Sequence, residues 1–271
     1  METDKLVTRE DRLDLDILRN KLSGSLFGIN VVFHEKLDST NTLTKDLAAG
    51  GAPEGTLVLA EEQTAGRGRM GRPWLSPRYA NLLFSVLLRP HLKADQVFIL
   101  TMTFALAASD GVEAVSGLKP MIKWPNDLYL GPKKLGGLLT EFSVKGKSAD
   151  YVVLGLGLNV NWHPSDRESI LYPATSIREE TNKKISREEL LTGILVQFED
   201  SYRDVTLRMS DQFYKKWNER SMLFKKKVEI ETVDGRICGE ALRINRNGAL
   251  IISKDNGEEQ RILNGDVSVK L

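Results

Sequence analysis

The sequence predicts an α+β fold: a mixed β-sheet flanked by helices, followed by a small all-β, barrel-like unit. Three observations carry this. Between residues 29 and 160, β-branched apolar runs are separated both by hairpin-like turns and by helical stretches, a pattern of mixed rather than strictly alternating parallel sheets. A helical stretch, Ser186–Arg220, closes this part. After Leu223, short apolar runs are punctuated by Asp234-Gly235, Asn247-Gly248, Asn256-Gly257 and Asn264-Gly265, dipeptides that favour tight hairpins because they tolerate positive φ. The 271 residues divide accordingly into a helical lead-in (1–28), a large domain (29–222) and a small β-domain (223–271).

In chain order, Leu13, Leu15, Ile17, Leu18 and Leu22 supply an apolar side to the charged lead-in. Ile29–Phe33 reads as a strand. Asp38-Ser39-Thr40-Asn41 follows, residues suited to a turn and a helix N-cap. Asn41–Ala49 is then helical until Gly50-Gly51-Ala52-Pro53 stops it. Thr56–Ala60 and Asn81–Leu88 are buried strands, and Gln96–Val115 is a long apolar helix. Met121–Trp124 is a short strand entering Pro125-Asn126-Asp127. Lys134–Val144 and Tyr151–Val160 are strands joined at Lys145-Gly146-Lys147. Ser186 with Glu189 fits a capping box for the last helix.

Composition excludes several function classes. With 41% hydrophobic and 28% charged residues, the chain is an ordinary globular one rather than disordered. Lys plus Arg number 38 against 37 Asp plus Glu, so a general basic coat for nucleic acid is absent and any anion site must be local. Cys238 is the single cysteine, and His34, His91 and His163 are scattered, so neither an intrachain disulfide nor a zinc-ligand spacing exists. The charge-free stretches Gln96–Ser109 and Tyr151–Ser165 fall short of the ~20 apolar residues of a membrane span. The N-terminus lacks a signal-peptide core. A cytoplasmic protein is expected.

Four strings can carry chemistry. Gly66-Arg67-Gly68-Arg69-Met70-Gly71-Arg72-Pro73-Trp74 places three arginines among three glycines. Glycine lets backbone approach a ligand, arginine offers forked donors to phosphate or carboxylate, and Trp74 offers a flat face. Such a loop suits a nucleotide phosphate. The same residues also fit a solvated Gly/Arg loop or an RNA-binding tract. The formal Gly-x-Gly-x-x-Gly match to a dinucleotide fingerprint fails its context: Pro73 and Pro77 oppose the required helix, and no acidic ribose partner stands near position 91. Lys123-Trp124-Pro125-Asn126-Asp127, with Lys134-Leu135-Gly136-Gly137 after it, presents lysines and a carboxylate able to hold Mg²⁺, or simply a charged hairpin. Asp38–Asn41 is a cap that can also touch a ligand. Gly155-Leu156-Gly157-Leu158-Asn159 signals close packing or close backbone approach.

Taken together and in this order, these strings resemble biotin protein ligase. The resemblance covers residues 33–160 directly and, with the small β-domain, nearly the whole chain. It implies a biotin- and ATP-binding catalytic domain at 29–222 and a two-step reaction. Biotin and MgATP give biotinyl-5′-AMP and pyrophosphate, and biotin then passes to a lysine of a biotin carboxyl carrier domain. By the same resemblance Ser39, Thr40, Asn41 and Gln63 face the biotin ureido group, and Arg67, Gly68 and Arg69 cover its carboxylate and the phosphate. Arg69, Arg72, Trp74, Asn126 and Asn159 attend the nucleotide, with Trp74 on the adenine. Arg69, Lys134, Lys123 and Asp127 serve the chemistry, Lys134 also touching biotin and Asp127 being the Mg²⁺ ligand. Joining two anions demands cations to offset their repulsion, which this set provides. The resemblance further implies a homodimer. Only about thirty residues precede the first core strand, so operator-DNA binding is not expected. The neighbouring possibility is a lipoate or octanoate ligase of the same fold.

Overall fold

The computed structural model describes residues 9–163, 173–205, 211–232, 235–263 and 265–269. After a short 3₁₀ turn at Arg9–Asp11, helix α1 (Leu15–Lys21) is the first α-helix of the described chain. Asp14 caps it, accepting hydrogen bonds from the Asp16 and Ile17 amides. Of the expected apolar side, Leu13, Leu18 and Leu22 are buried, whereas Ile17 is exposed.

The main sheet is built from β1 (Val31–His34), β2 (Leu57–Ala60), β3 (Leu82–Leu88), β4 (Met121–Lys123), β5 (Asp127–Leu130), β6 (Lys133–Lys145) and β7 (Ser148–Leu158). Among the described residues the strand order is β1-β2-β3-β7-β6-β5-β4. Only β1 and β2 run parallel; the other neighbours are antiparallel, as the mixed-sheet reading requires. Strand β5 differs from expectation. Asp127 begins a strand instead of ending a turn, because the chain reverses at Pro125, after a cis Trp124–Pro125 peptide.

Helix α2 (Thr40–Ala49) lies on one face of the sheet and α3 (Phe98–Ser116) on the other. Strand β3 is buried on both faces for that reason. Phe84 meets Phe104 of α3 edge-on, and Leu87 packs beside Ala48 of α2. By length and apolar composition α3 could cross a bilayer, but most of it is buried inside this fold, the signature of a core helix.

Helices α4 (Ile177–Thr181), α5 (Arg187–Val205) and α6 (Asp211–Arg220) follow. The stretch expected to be helical, Ser186–Arg220, is helical in its described parts as α5 and α6; residues 206–210 lie outside the described chain. The Ser186 cap is present, its Oγ accepting from the Glu189 amide at 3.2 Å. At the start of α5, buried Arg187 pairs with buried Glu61 (2.7 Å) and also donates to the carbonyls of Asn81 and Asp11. The Leu13 amide donates to the same Glu61 at 2.6 Å, so one buried ion pair ties the lead-in, β2 and α5 together.

The C-terminal sheet comprises β8 (Lys227–Thr232), β9 (Gly235–Ile244), β10 (Leu250–Ser253), β11 (Glu259–Ile262) and β12 (Asp266–Val269), in the antiparallel order β11-β10-β9-β8-β12. The Asn247-Gly248 and Asn256-Gly257 hairpins stand where expected, both glycines at positive φ. Asp234 and Asn264 lie outside the described residues. Its buried residues, among them Val228, Ile230 and Val267, join the same hydrophobic cluster as the main sheet. The Trp124 indole seals the junction by donating to the Gly248 carbonyl at 3.0 Å.

Candidate active site

Period-two alternation sends Leu83, Ser85 and Leu87 of β3 to the α2 face of the sheet. The cross-strand register then lines up two rows on that face. Ser85 sits opposite Gly155 of β7, which sits opposite Leu139 of β6. Leu83, Gly157, Gly137 and Asp127 form the next row, ending on β5. Glycine leaves these rows bare, and other side chains lie on the sheet. A Cβ on Gly155 would sit 1.9 Å from Asn41 Oδ1, and one on Gly157 would sit 2.6 Å from the Trp74 indole.

Lys134 reaches this face through a β-bulge. Leu128 pairs with Gly136, but Tyr129 pairs with Lys134, so Leu135 is the extra residue. Leu135 turns into the core, and Lys134 is re-aimed onto the cavity side. Its Nζ is 2.7 Å from Asp127 Oδ1 and 5.7 Å from the Trp74 ring centroid.

The cavity so formed has a volume of about 330 Å³. Every site residue expected from the sequence lines it: Ser39, Thr40 and Asn41 from the start of α2; Gln63 after β2; Arg67, Gly68, Arg69, Arg72 and Trp74 from the loop; Lys123, Asn126 and Asp127 around the β4–β5 turn; and Lys134 and Asn159. Its two ends differ in chemistry.

The neutral end is an ordered hydrogen-bond network. Gln63 Oε1 accepts from the Thr40 amide at 2.7 Å and lies 3.1 Å from its hydroxyl. Ser85 Oγ donates to Asn41 Oδ1 at 2.7 Å and is 2.8 Å from Thr40 Oγ1. Asn41 Nδ2 donates to the Leu139 carbonyl (3.1 Å) and Glu141 (2.9 Å). The Asn41 amide is thus engaged at both ends by protein and forms a fixed wall. Ser39 occupies the expected N-cap position of α2 but makes no side-chain capping bond. Burial would push the Glu141 carboxyl up; hydrogen bonds from Lys45 and Asn41 outweigh it and hold the group low.

The other end is cationic. The loop forms a closed turn: Gly68 N donates to Arg72 O (2.7 Å), and Trp74 N donates to Gly66 O (2.9 Å). Arg69–Gly71 is one short 3₁₀ turn rather than an α-helix, with Met70 at φ 55° and Gly71 at φ 74°, so the dinucleotide fingerprint is absent in geometry as well. Arg67 donates to Thr42 Oγ1 at 3.0 Å. Burial lowers the Arg69 pKa, opposed by Asp266 and Asp127 and assisted by Arg72. Lys123 is likewise lowered by burial, its Nζ lying 5.3 Å from the Tyr129 ring centroid. Asn126 donates to the Leu138 carbonyl, and Asn159 Nδ2 donates to the Thr175 carbonyl at 3.0 Å. These two amides brace the cavity wall.

Sequence reasoning missed Ser85, Glu141 and Asp266. Ser85 carried a signal, being the one polar residue in an otherwise apolar strand. Asp266 carried none: it reaches the cavity from the C-terminal sheet.

Residues 33–159 match the biotin/lipoate A/B protein ligase family. The bifunctional ligase/repressor BirA of Bacillus subtilis is 33% identical over 98% of this chain and 82% of its own length. The biotin–[acetyl-CoA-carboxylase] ligase of Mycobacterium tuberculosis is 32% identical over 91% of this chain and 93% of its own. Among solved structures, biotin protein ligase from Aquifex aeolicus in complex with biotin and ATP superposes with a TM-score of 0.76 at 29% identity, covering 89% of this chain and 99% of that one. The four separated strings meeting in one cavity, together with this likeness along nearly the whole length, make the chain a member of the biotin protein ligase family.

Proposed function

We propose that this protein activates biotin with MgATP to biotinyl-5′-AMP and transfers the biotinyl group to a lysine of a biotin carboxyl carrier domain. The observation that carries this is the division of one cavity into a neutral, hydrogen-bonding end and a cationic end. A ureido ring offers two N–H donors and one carbonyl acceptor, suited to the hydroxyls of Ser39 and Thr40 and to the amide nitrogen of Gln63. Asn41, already engaged by protein groups, shapes the wall against which the ring rests.

In the first step a biotin carboxylate oxygen bonds to the α-phosphorus, and the bond to the β-phosphate oxygen breaks, releasing pyrophosphate. Arg67, Arg69, Arg72 and Lys134 offset the repulsion between two anions and hold them in line. The Trp74 ring, beside Gly157 and Lys134, gives the adenine a surface to stack on. In the second step a carrier lysine amine attacks the acyl carbon, and AMP leaves with the C–O bond electrons. The anhydride is already activated, so the protein has to position it and exclude water.

Among the described residues no group of three His, Cys, Asp or Glu side chains could hold a metal ion. A Mg²⁺ ion brought in with ATP would need few protein ligands, and Asp127, now paired with Lys134, would supply one carboxylate to it. The ion would neutralise phosphate charge there. The single cysteine, which allows no intrachain disulfide, supports a cytoplasmic location.

The test is pyrophosphate release with biotin against lipoate, followed by mass spectrometry of a carrier domain incubated with protein, biotin and MgATP. A gain of one biotinyl group, lost in Arg69→Ala and Lys134→Ala, is expected; activity with lipoate alone would refute the reading.

A further inference from the structure

One carboxylate in the cavity wall has no part in the chemistry above. Asp266 is the first residue of β12, and the family match ends at residue 159, far short of it. Its Oδ1 lies 3.8 Å from Arg69 Nη1, and its Oδ2 pairs with Arg72 Nη2. The preceding Gly265 carbonyl accepts from Arg69 Nη1 at 3.3 Å. We propose that Asp266 is a positioning residue for the nucleotide half-reaction: it sets the Arg69 and Arg72 guanidinium groups before ATP arrives, making the C-terminal sheet a working wall of the nucleotide site.

The argument rests on which partner is fixed. Arg69 and Arg72 stand on a loop turning through two positive-φ residues. Asp266 stands on a strand paired with β8 over four positions, with Val267 buried next to it. Gly265 is pressed against β8 so closely that a Cβ there would lie 2.6 Å from Ile230 and 3.0 Å from the Glu231 carbonyl. The strand therefore orders the loop, and not the reverse.

Two guanidinium groups side by side also repel; Arg72 acts on Arg69 in that direction, and Asp266 opposes it. A single carboxylate with one oxygen toward each cation holds them together. Each guanidinium has five N–H donors, more than one carboxylate oxygen engages. Ordering two rotamer-rich side chains in advance spares the nucleotide that cost on binding.

The inference rests on the functional reading above, and full-length Asp266→Asn tests it by steady-state pyrophosphate release. The expected result is a KM for ATP raised roughly tenfold, the scale of one charge-assisted contact. The KM for biotin stays within about twofold, and Asp266→Glu retains wild-type behaviour within about threefold. An unchanged KM for ATP would overturn the inference while leaving the functional reading intact. So would a fall in that KM, which would make Asp266 a competitor of phosphate. An equal rise for both substrates with a lowered unfolding midpoint would overturn it too, because Asp266 would then be only scaffold. Wild-type protein releasing no pyrophosphate from biotin and ATP would overturn both.

Discussion

Gly155 and Gly157 sit two apart on β7, on the same face, and their replacement by alanine separates two kinds of close approach. A Cβ at position 155 would lie 1.9 Å from Asn41 Oδ1 and 2.9 Å from its Cγ. Relieving that overlap requires the amide to retreat by at least ~1 Å. It is held by bonds of 2.7, 2.9 and 3.1 Å to Ser85, Glu141 and Leu139. A retreat of that size carries two of them beyond hydrogen-bonding range. With about 1–2 kcal/mol for each buried polar group left unsatisfied, Gly155→Ala costs about 3 kcal/mol of stability. At position 157 the obstacle is the indole of Trp74, the end of a side chain carried on a loop. The ring can swing, and alanine is better than glycine within a strand, so Gly157→Ala stays within about 1 kcal/mol of wild type. Urea unfolding measures both, and kinetics separates them further: Gly155→Ala raises the KM for biotin, Gly157→Ala the KM for ATP. Equal losses of stability in the two variants would refute the reasoning, because the anchored amide would then be no stiffer than the loop ring.

Two pH predictions follow from the charged walls. Lys123 is pushed below its ordinary 10.5 by burial, with Asp127 and Asp266 opposing and Lys134 and Arg72 assisting. A lysine lowered in the fold loses its charge at lower pH than a free one, so kcat/KM for ATP declines on an alkaline limb below 10.5. Lys123→Arg keeps the charge and moves that limb upward; superimposable profiles would contradict this. Glu141 titrates below its ordinary 4.5, so its stabilising share is present above that value and fades as pH falls toward the folded pKa. Glu141→Gln therefore loses about 1 kcal/mol in urea unfolding at pH 7, solvent screening included, and much less at pH 3. An equal loss at both pH values would remove the carboxylate's charge from the account.

What the sequence disclosed and what it hid divide along a physical line. Turns and alternation are local: Asn247-Gly248 and Asn256-Gly257 name their own hairpins because the required φ belongs to one residue. The Gly/Arg loop and the Lys-Trp-Pro-Asn-Asp string were legible because their chemistry is concentrated in a few consecutive positions. The Leu135 bulge was not legible. Alternation along Lys133–Gly137 sends Lys134 to the face opposite Gly137, and only the pairing with β5 adds the residue that reverses it. Asp266 is the limiting case. Within its own strand it is one acidic residue at the start of a four-residue run; its meaning comes from two arginines nearly two hundred positions earlier, and from the pairing of β12 with β8 that brings it to them. A residue whose function is to hold another residue has no pattern of its own. The parts of this site that escaped the sequence, Ser85 behind Thr40 and Asn41, Glu141 behind Asn41, and Asp266 behind Arg69 and Arg72, are all of that kind. They are also where substitutions should separate positioning from contact, because each acts on one end of the cavity through a side chain that the other end does not share.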